Sequence, residues 1–222
     1  MPTRRRLDAE LVRRGMVASR TEAQRLIAVG GVMVSGRPSA RPATLVSAAE
    51  PIEVAEADRW ASRAGGKLAA ALGAFAVAVE GRSALDVGAS TGGFTDVLLA
   101  HGAASVAAVD VGYGQLLWRL RTDPRVTVHD RTNFRSADVS VLGAPFDLVV
   151  VDVSFISVGL LVGNLALAGR QGTEYVVLVK PQFEVGREGV GPGGIVRNAE
   201  AHRDAVAAVA GALATEDLAF RG

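Results

Sequence analysis

The sequence predicts an α/β protein in which a small α+β domain precedes a doubly wound, Rossmann-like parallel sheet. Three observations lead to this prediction. Apolar runs of strand length alternate with segments that repeat apolar residues at helical spacing. A glycine-rich turn separates the first of these runs from the helix after it, and arginines concentrate in the first 41 residues. At 222 residues, the chain can bury a core in one or two domains.

The N-terminal segment predicts two helices followed by paired strands. Apolar residues at helical spacing indicate a short first helix that Gly15 ends. Ser19 and Glu22 form a capping-box pattern, so a second helix is expected to begin there. After a Gly-Gly pair, the apolar segment 32–34 predicts a strand, and residues 52–54 predict its partner.

This segment is strongly basic. Residues 1–41 contain nine arginines and three acidic residues, a net charge of +6, although the whole chain carries only +1. Such a basic region favours a polyanionic partner. The paired helices and residues 31–37, Gly-Val-Met-Val-Ser-Gly-Arg, resemble the alpha-L RNA-binding module, which implies arginine contacts with phosphates. The predicted RNA-binding residues are Arg4, Arg5, Arg6, Arg13, Arg14, Arg20 and Arg25. The alternative is a solvated charged face on a structural cap.

A glycine-rich loop follows the first apolar run of the predicted sheet. Residues 83–94, Ser-Ala-Leu-Asp-Val-Gly-Ala-Ser-Thr-Gly-Gly-Phe, predict a strand, a tight turn and the start of a helix. The glycine spacing differs from the dinucleotide fingerprint. With an aspartate roughly 20 residues further on, it resembles the S-adenosylmethionine site of class I methyltransferases. The predicted cofactor-binding residues are Asp86, Gly88, Ser90, Gly92, Gly93 and Asp110. The alternative is an ordinary strand–helix turn without a ligand.

The remaining elements continue the alternation of strands and helices. An alanine-rich helix is expected before the loop, over residues 68–79, and another near the leucines at 116–120. Further strands are predicted at residues 106–109, 126–128, 146–152 and 175–180, and a final helix at 199–213. Strands this uniformly apolar are typical of a parallel sheet that is covered on both faces.

The composition excludes several classes of site. Because the chain has no cysteine, it forms neither a disulfide nor a thiolate zinc site, and with only three scattered histidines we predict no metal site. No segment approaches the roughly 18 consecutive apolar residues of a membrane span. The basic N-terminus also lacks the apolar region of a secretory signal. We therefore expect a cytoplasmic protein that does not act at membranes.

Two lysines are unusual in this arginine-rich chain. Of the 24 basic residues, only Lys67 and Lys180 are lysine. A lysine supplies a compact, titratable amine that arginine cannot replace, so both positions are candidates for chemistry. The alternative is chance, since a chain with few lysines must still place some of them somewhere.

Two motifs carry a more specific resemblance. Residues 152–157, Asp-Val-Ser-Phe-Ile-Ser, and 180–186, Lys-Pro-Gln-Phe-Glu-Val-Gly, resemble the haemolysin-A-type (TlyA) family of ribosomal RNA 2′-O-methyltransferases. This family joins an alpha-L module to an FtsJ-like methyltransferase domain. The resemblance implies methylation of ribose 2′-hydroxyls of cytidine in small- and large-subunit ribosomal RNA. It also implies S-adenosylmethionine as the cofactor, and ribosomal RNA and ribosomal subunits as the partners.

The resemblance implies roles for individual residues. Lys67, Asp152 and Lys180 match three members of the family's catalytic Lys-Asp-Lys-Glu set. Lys180, beside Asp152, would stabilise the forming alkoxide or accept the hydroxyl proton, and Lys67 would hold a phosphate or ribose. Asp110 would bind the cofactor ribose, and Asp130 would face the adenine. The family's glutamate lies on a late strand that this sequence does not reach, so we expect a sheet that lacks its last strands.

The expected domains are an RNA-binding domain at residues 1–58, a linker at 59–66, and a C-terminally incomplete methyltransferase domain at 67–222. Two other functions remain open. An RNA-binding or ribosome-assembly factor with an inactive methyltransferase domain would bind the cofactor without transferring its methyl group. A membrane-active protein is suggested by the haemolysin name alone, and no basic amphipathic helix with bulky apolar residues supports it.

Overall fold

The computed structural model of the chain describes residues 4–17, 19–28, 30–39, 41–54, 60–186 and 189–221. The chain forms two compact units, Met1–Arg59 and Trp60–Gly222. The elements of the first unit are β1 (Arg4–Arg6), α1 (Leu7–Arg13), α2 (Arg20–Ala28), β2 (Val32–Val34), β3 (Arg37–Pro38), β4 (Leu45–Ser47) and β5 (Ile52–Val54). Those of the second are α3 (Arg63–Ala74), β6 (Ser83–Val87), α4 (Gly93–Ala100), β7 (Ser105–Val109), α5 (Trp118–Arg121), β8 (Val126–His129), β9 (Leu148–Val151), α6 (Val162–Ala168), β10 (Glu174–Val177), α7 (Pro181–Glu184) and α8 (Ala199–Ala214).

The first unit has a small core formed by its two helices and short strands. Leu7, Leu11, Ile27 and Val32 are completely buried in this core. β2 pairs antiparallel with β3 and β5, which confirms the predicted pairing of the two apolar segments. β1 also pairs antiparallel with β4. The sequence gives no sign of this pair, because three consecutive arginines show no alternation of apolar and polar residues.

Within its described residues, the second unit contains a five-stranded sheet in the order β10-β9-β6-β7-β8. All neighbouring strands are parallel, so the predicted doubly wound sheet is confirmed. The chain runs from β6 to β7 and β8 on one side, and then returns to β9 and β10 on the other. The strand order therefore reverses between β6 and β9. Open α/β sheets bind ligands at such a reversal, beyond the carboxyl ends of their strands.

Helices cover both faces of this sheet. On one face, Val150 of β9 lies in a buried cluster with Leu98 of α4. On the other face, Val149 lies in a cluster with Leu165 of α6 and Val209 of α8. Because consecutive residues of each strand face two different cores, the inner strands are predominantly apolar, and Asp86 on β6 is a buried charged exception.

Some predicted boundaries differ from the observed ones. α3 begins at Arg63, because Ser62 accepts a hydrogen bond from the Ala64 amide and caps the helix. Residues 63–66, expected in a linker, are therefore helical, whereas Arg59 lies outside the described residues. β10 ends at Val177, before Lys180, and α6 is absent from the prediction.

Candidate active site

A cavity of about 450 Å³ lies beyond the carboxyl ends of β6, β7 and β9. Its walls include Gly88 and Ser90 of the glycine loop, Asp110 after β7 and Asp152 after β9. The volume is typical of a small-molecule site, and the position is the reversal of strand order between β6 and β9. Four predicted site residues therefore line one cavity.

The glycine loop is fixed to the strands on both sides of it. The amides of Gly88 and Ala89 donate to the carbonyl oxygen of Val109 at 2.9 and 3.1 Å. Gly88 has a φ of +90°, and a Cβ at this position would lie 2.5 Å from the carbonyl oxygen of Asp152. Glycine is required here because the ends of β6 and β9 approach each other closely.

The next two glycines of the loop are explained by packing. A Cβ on Gly92, whose φ is +98°, would overlap the side chains of Leu116 and Leu120. A Cβ on Gly93 would overlap the hydroxyl of Ser62. Neither glycine lines the cavity. Their small size allows the segments before and within α5 and the N-cap of α3 to approach the start of α4 closely, and their predicted role in cofactor binding stays a prediction.

Asp110 holds the loop from the end of β7. Its Oδ2 accepts a hydrogen bond from the Ser90 amide at 2.9 Å, and its Oδ1 accepts one from the Gly112 amide at 2.7 Å. These two bonds fix the orientation of the carboxylate. Because a carboxylate accepts about four hydrogen bonds, Asp110 retains acceptor capacity for hydroxyl groups in the cavity.

Asp86 is completely buried on β6 and does not itself line the cavity, although the next residue, Val87, does. Its Oδ2 accepts a hydrogen bond from Thr95 Oγ1 at 2.7 Å, whereas Oδ1 has no hydrogen-bond partner among the described residues. Burial, with smaller contributions from the charges of Asp152 and Asp110, raises the pKa of Asp86 to about 7. A buried, half-satisfied carboxylate is costly to the fold, which is typical of a residue retained for binding.

Asp152 and Lys180 form an ion pair at the edge of the cavity. The Nζ of Lys180 lies 2.6 Å from Asp152 Oδ1 and donates a hydrogen bond to Ser154 Oγ at 2.7 Å. Only 14% of the Asp152 side chain and 19% of the Lys180 side chain are exposed. An ammonium has three N–H donors and the hydrogen bond to Ser154 uses one of them, so Lys180 keeps donor capacity for a further oxygen.

Phe155, in the same loop as Asp152, is a candidate that the sequence-based prediction omits. Its side chain is 91% exposed, and its backbone has the left-handed φ of +67°. The ring centroid lies 5.3 Å from that of Phe183. A non-glycine residue with a strained backbone and an exposed aromatic ring contributes little to the core, which indicates a functional rather than a structural role. The Asp-Val-Ser-Phe-Ile-Ser motif is the available signal, but a sequence does not distinguish an exposed phenylalanine from a buried one.

Glu184 is a second omitted residue. Its Oε2 accepts a hydrogen bond from Ser157 Oγ at 2.6 Å, and its Oε1 accepts one from the Val158 amide at 2.9 Å. These bonds join α7, which follows Lys180 directly, to the loop that carries Asp152. Glu184 therefore fastens together the two segments that supply the ion pair. The Lys-Pro-Gln-Phe-Glu motif contains this glutamate and is the signal that points to it.

Lys67 and Asp130 do not line the cavity. Lys67 is exposed on α3 and forms no hydrogen bond or ion pair with the described residues. Asp130 accepts hydrogen bonds from Arg121 at 2.8 Å and from the Gly114 amide at 3.2 Å, and the Arg121 contact lowers the pKa of Asp130. Their roles towards the substrate and the adenine stay predictions.

Most of the predicted RNA-binding arginines form ion pairs within the first unit. Arg6 and Arg20 each bind Asp8, and Arg13 binds Glu10. Between 46 and 57% of each of these three arginine side chains is exposed. The three guanidinium groups are therefore both held by the protein and accessible to a polyanion.

The other four arginines of this set differ from one another. Arg4 is exposed and lies 3.2 Å from Glu50, and Arg5 is exposed on β1. The guanidinium of Arg14 donates to a carboxylate and to three backbone carbonyl oxygens, so Arg14 stabilises the unit rather than offering donors to RNA. Arg25 belongs to α2, but its side chain lies outside the described residues.

The described part of the chain contains neither a cluster of potential metal ligands nor a helix that could cross a membrane. No group of three or more histidine or acidic side chains there is arranged to hold a metal ion. None of the described helices combines the length and the apolar character needed to cross a bilayer.

Comparison with known proteins identifies the family. The FtsJ-like methyltransferase model matches residues 60–218, and the S4 domain model matches residues 5–52. The first match covers more than half of the chain. The chain belongs to the FtsJ-like methyltransferase family. Its glycine loop and the Asp152–Lys180 ion pair lie within the matched segment.

This FtsJ-like methyltransferase is similar to several known proteins. The 16S/23S rRNA (cytidine-2′-O)-methyltransferase TlyA of Mycobacterium tuberculosis is 51% identical over 95% of the chain and 79% of its own length. Hemolysin A of Brachyspira hyodysenteriae is 40% identical over 87% of the chain and 81% of its own length. A solved structure from Streptococcus thermophilus is 39% identical, covers 97% of this chain and 79% of that chain, and has a TM-score of 0.72. The resemblance to the haemolysin-A-type family is confirmed.

Proposed function

We propose that this methyltransferase transfers a methyl group from S-adenosylmethionine to the 2′-hydroxyl of cytidine riboses in small- and large-subunit ribosomal RNA. The observation that carries the proposal is the Asp152–Lys180 ion pair at the edge of the cavity. The 51% identity to a protein named for this reaction supports the same substrate. Ribosomal RNA and ribosomal subunits are then the partners, and the cytoplasm is the site of action.

The cavity residues fit S-adenosylmethionine. Its ribose hydroxyls match the remaining acceptor capacity of Asp110, whose carboxylate is already oriented by Ser90 and Gly112. Its ammonium would pair with the unpaired Oδ1 of Asp86, which lies one residue before the cavity-lining Val87, since a cation relieves the cost of a buried carboxylate. Gly88 would lie beside it in the cavity wall. When bound, the cofactor supplies a methyl group that its sulfonium has already activated.

The protein's part in the reaction is to place and polarise the ribose hydroxyl. This oxygen is a weak nucleophile until its proton begins to leave, and a cation next to it stabilises the negative charge that develops. An N–H of Lys180 that is not used by Ser154 is available for that contact. Because Asp152 and Ser154 fix the ammonium, the hydroxyl meets a preorganised donor rather than a flexible side chain.

An aromatic surface beside the ion pair fits the base of the target nucleotide. Enzymes that act on a single nucleotide commonly take its base out of the stack and place it against aromatic side chains. Phe155 presents its ring to solvent and follows Ser154, the residue that binds Lys180. We assign stacking of the target base to Phe155, with Phe183 supporting its ring.

Methyl transfer to isolated ribosomal subunits tests the proposal. With tritiated S-adenosylmethionine, we expect label in the RNA of both subunits, and digestion should recover it in 2′-O-methylcytidine. Subunits that already carry the modification are the control and should accept no label. Label on a base instead of a ribose contradicts the proposal. Binding of cofactor and RNA without transfer would favour the RNA-binding or assembly factor instead.

A further inference from the structure

We infer that the buried carboxylate of Asp8 positions Arg6 and Arg20 for RNA, so that RNA binding by this basic unit depends on a negative charge. The inference rests on the proposed function, because it takes ribosomal RNA as the ligand of the first unit. Asp8 is a positioning residue in this account and does not touch the RNA itself.

Asp8 gathers donors from both sides of its unit. Arg6, at the end of β1, donates from Nε to Asp8 Oδ1 and from Nη2 to Oδ2, both at 3.1 Å. Arg20 and Gln24, on α2, donate to Oδ2 at 3.0 and 3.1 Å. The Asp8 side chain has no exposed surface. One carboxylate therefore fixes two guanidinium groups that come from separate elements.

The two arginines keep donors for a second anion. A guanidinium has five N–H donors, and Asp8 occupies two of those on Arg6 and one of those on Arg20. Their side chains remain 48 and 57% exposed. A free arginine loses rotamer entropy when it binds a phosphate. An arginine already held by Asp8 has lost much of that entropy on folding, so it binds at a smaller cost.

The same arrangement occurs a second time in the unit. Glu10 is 1% exposed and accepts two hydrogen bonds from Arg13, from Nε at 2.7 Å and from Nη2 at 2.5 Å, while 46% of the Arg13 side chain stays exposed. The Arg6 contact keeps the pKa of Asp8 well below its usual value, and the Arg13 contact lowers that of Glu10 to about 2. Both carboxylates are therefore charged at any pH at which RNA binding is measured.

Neutralising Asp8 distinguishes an effect of net charge from an effect of arginine positioning, because the two predict opposite changes in RNA affinity. Removing a negative charge from a basic unit strengthens its attraction for RNA if only the net charge matters. If Asp8 positions the arginines, its removal weakens binding. Glu53, exposed on β5, offers a matched control in the same unit, because Glu53→Gln removes the same charge without touching Arg6 or Arg20.

The experiment measures binding of the whole chain to a fluorescein-labelled ribosomal RNA hairpin by anisotropy over a series of salt concentrations. We expect Asp8→Asn to raise Kd about three- to tenfold. The slope of log K against log salt should fall by roughly 0.7–0.9 for each arginine that no longer reaches a phosphate. Glu53→Gln should bind as tightly as the parent or more tightly.

Circular dichroism and thermal melting show whether the Asp8→Asn unit remains folded. Arg6→Lys is the second variant, because it keeps the charge on an exposed side chain but cannot form both bonds to Asp8. Like Asp8→Asn, it should lower both the affinity for RNA and the slope of log K against log salt. Parental affinity and slope in Arg6→Lys, or in folded Asp8→Asn, would overturn the inference. If the parent chain itself binds no RNA, the proposed function fails instead.

Discussion

Replacing Asp86 with asparagine should stabilise the second unit at neutral pH while it weakens cofactor binding. Asp86 is completely buried, and burial raises its pKa from 3.8 to about 7. Between these two pH values, the folded state binds a proton that the unfolded state does not. The free energy of unfolding therefore falls as the pH rises towards about 7 and then levels off. Asparagine has nearly the same shape and does not titrate, so it removes this dependence.

The size of the effect follows from the burial of Asp86. The difference between a pKa of 3.8 and one of about 7 corresponds to roughly 4 kcal/mol, because one pKa unit is worth about 1.4 kcal/mol. The amide of asparagine offsets part of this gain in stability. Its N–H donors would be unpaired where Oδ1 has no partner, which costs about 1–3 kcal/mol. We expect the variant to be about 1–3 kcal/mol more stable than the parent near pH 8 and less stable near pH 4.

Urea unfolding of parent and variant at several pH values between about 4 and 8 measures this difference. Asp147→Asn is the control of opposite sign. Hydrogen bonds from the Ser83 amide and Arg170 lower the pKa of Asp147 to about 2, so its replacement should destabilise the fold near neutral pH and matter less as the pH falls towards 2. A stability difference between Asp86→Asn and the parent that is the same at both ends of the pH range would refute the reasoning.

Three further predictions concern binding and turnover. Asp110→Ala should weaken S-adenosylmethionine binding by about 1.5–3 kcal/mol in calorimetry, and equal affinity would remove its assignment to the ribose. Phe155→Ala should raise KM for RNA several-fold without changing the Kd for the cofactor. Phe155→Tyr, which keeps an aromatic ring, should keep the parental KM. An unchanged KM in the alanine variant would exclude stacking of the base on Phe155. Glu184→Ala should lower kcat far more than it raises KM, because Lys180 and Asp152 lose their alignment. Glu184→Gln, which still accepts the Val158 bond, should recover part of kcat, and equal losses in both variants would indicate a structural role.

Much of the fold of the second unit can be predicted because the signals for its elements lie within short stretches of sequence. β7 and β9 are buried on both faces, so each appears in the sequence as an unbroken apolar run. The glycine loop and Asp110 follow from the spacing of a strand, a turn and the next strand. α6 is harder to predict, because residues 162–168 form a short apolar segment that includes a glycine and lacks a polar face.

The contact between Asp152 and Lys180 has a different origin. They are 28 positions apart in sequence, and only the parallel pairing of β9 and β10 brings the ends of their strands together. The resemblance to a known family pairs these residues, whereas composition and periodicity do not. The sequence also does not predict which apolar residues are exposed. Phe155 is exposed, although most apolar residues are not. The arginines also look alike in the sequence but differ in the structure. Arg14 binds backbone carbonyl oxygens, whereas Arg6 stays accessible to solvent.

The central claim is that Lys180, held by Asp152, polarises the ribose hydroxyl. Its most direct test is single-turnover methyl transfer to ribosomal subunits by Lys180→Arg, with Lys67→Arg as the matched lysine control. A guanidinium keeps the charge but cannot reproduce a compact ammonium between Asp152 and Ser154. We predict that Lys180→Arg loses transfer by about a hundredfold or more, with parental affinity for cofactor and RNA, and that Lys67→Arg loses much less. A Lys180→Arg variant that keeps most of the parental single-turnover rate would contradict the claim.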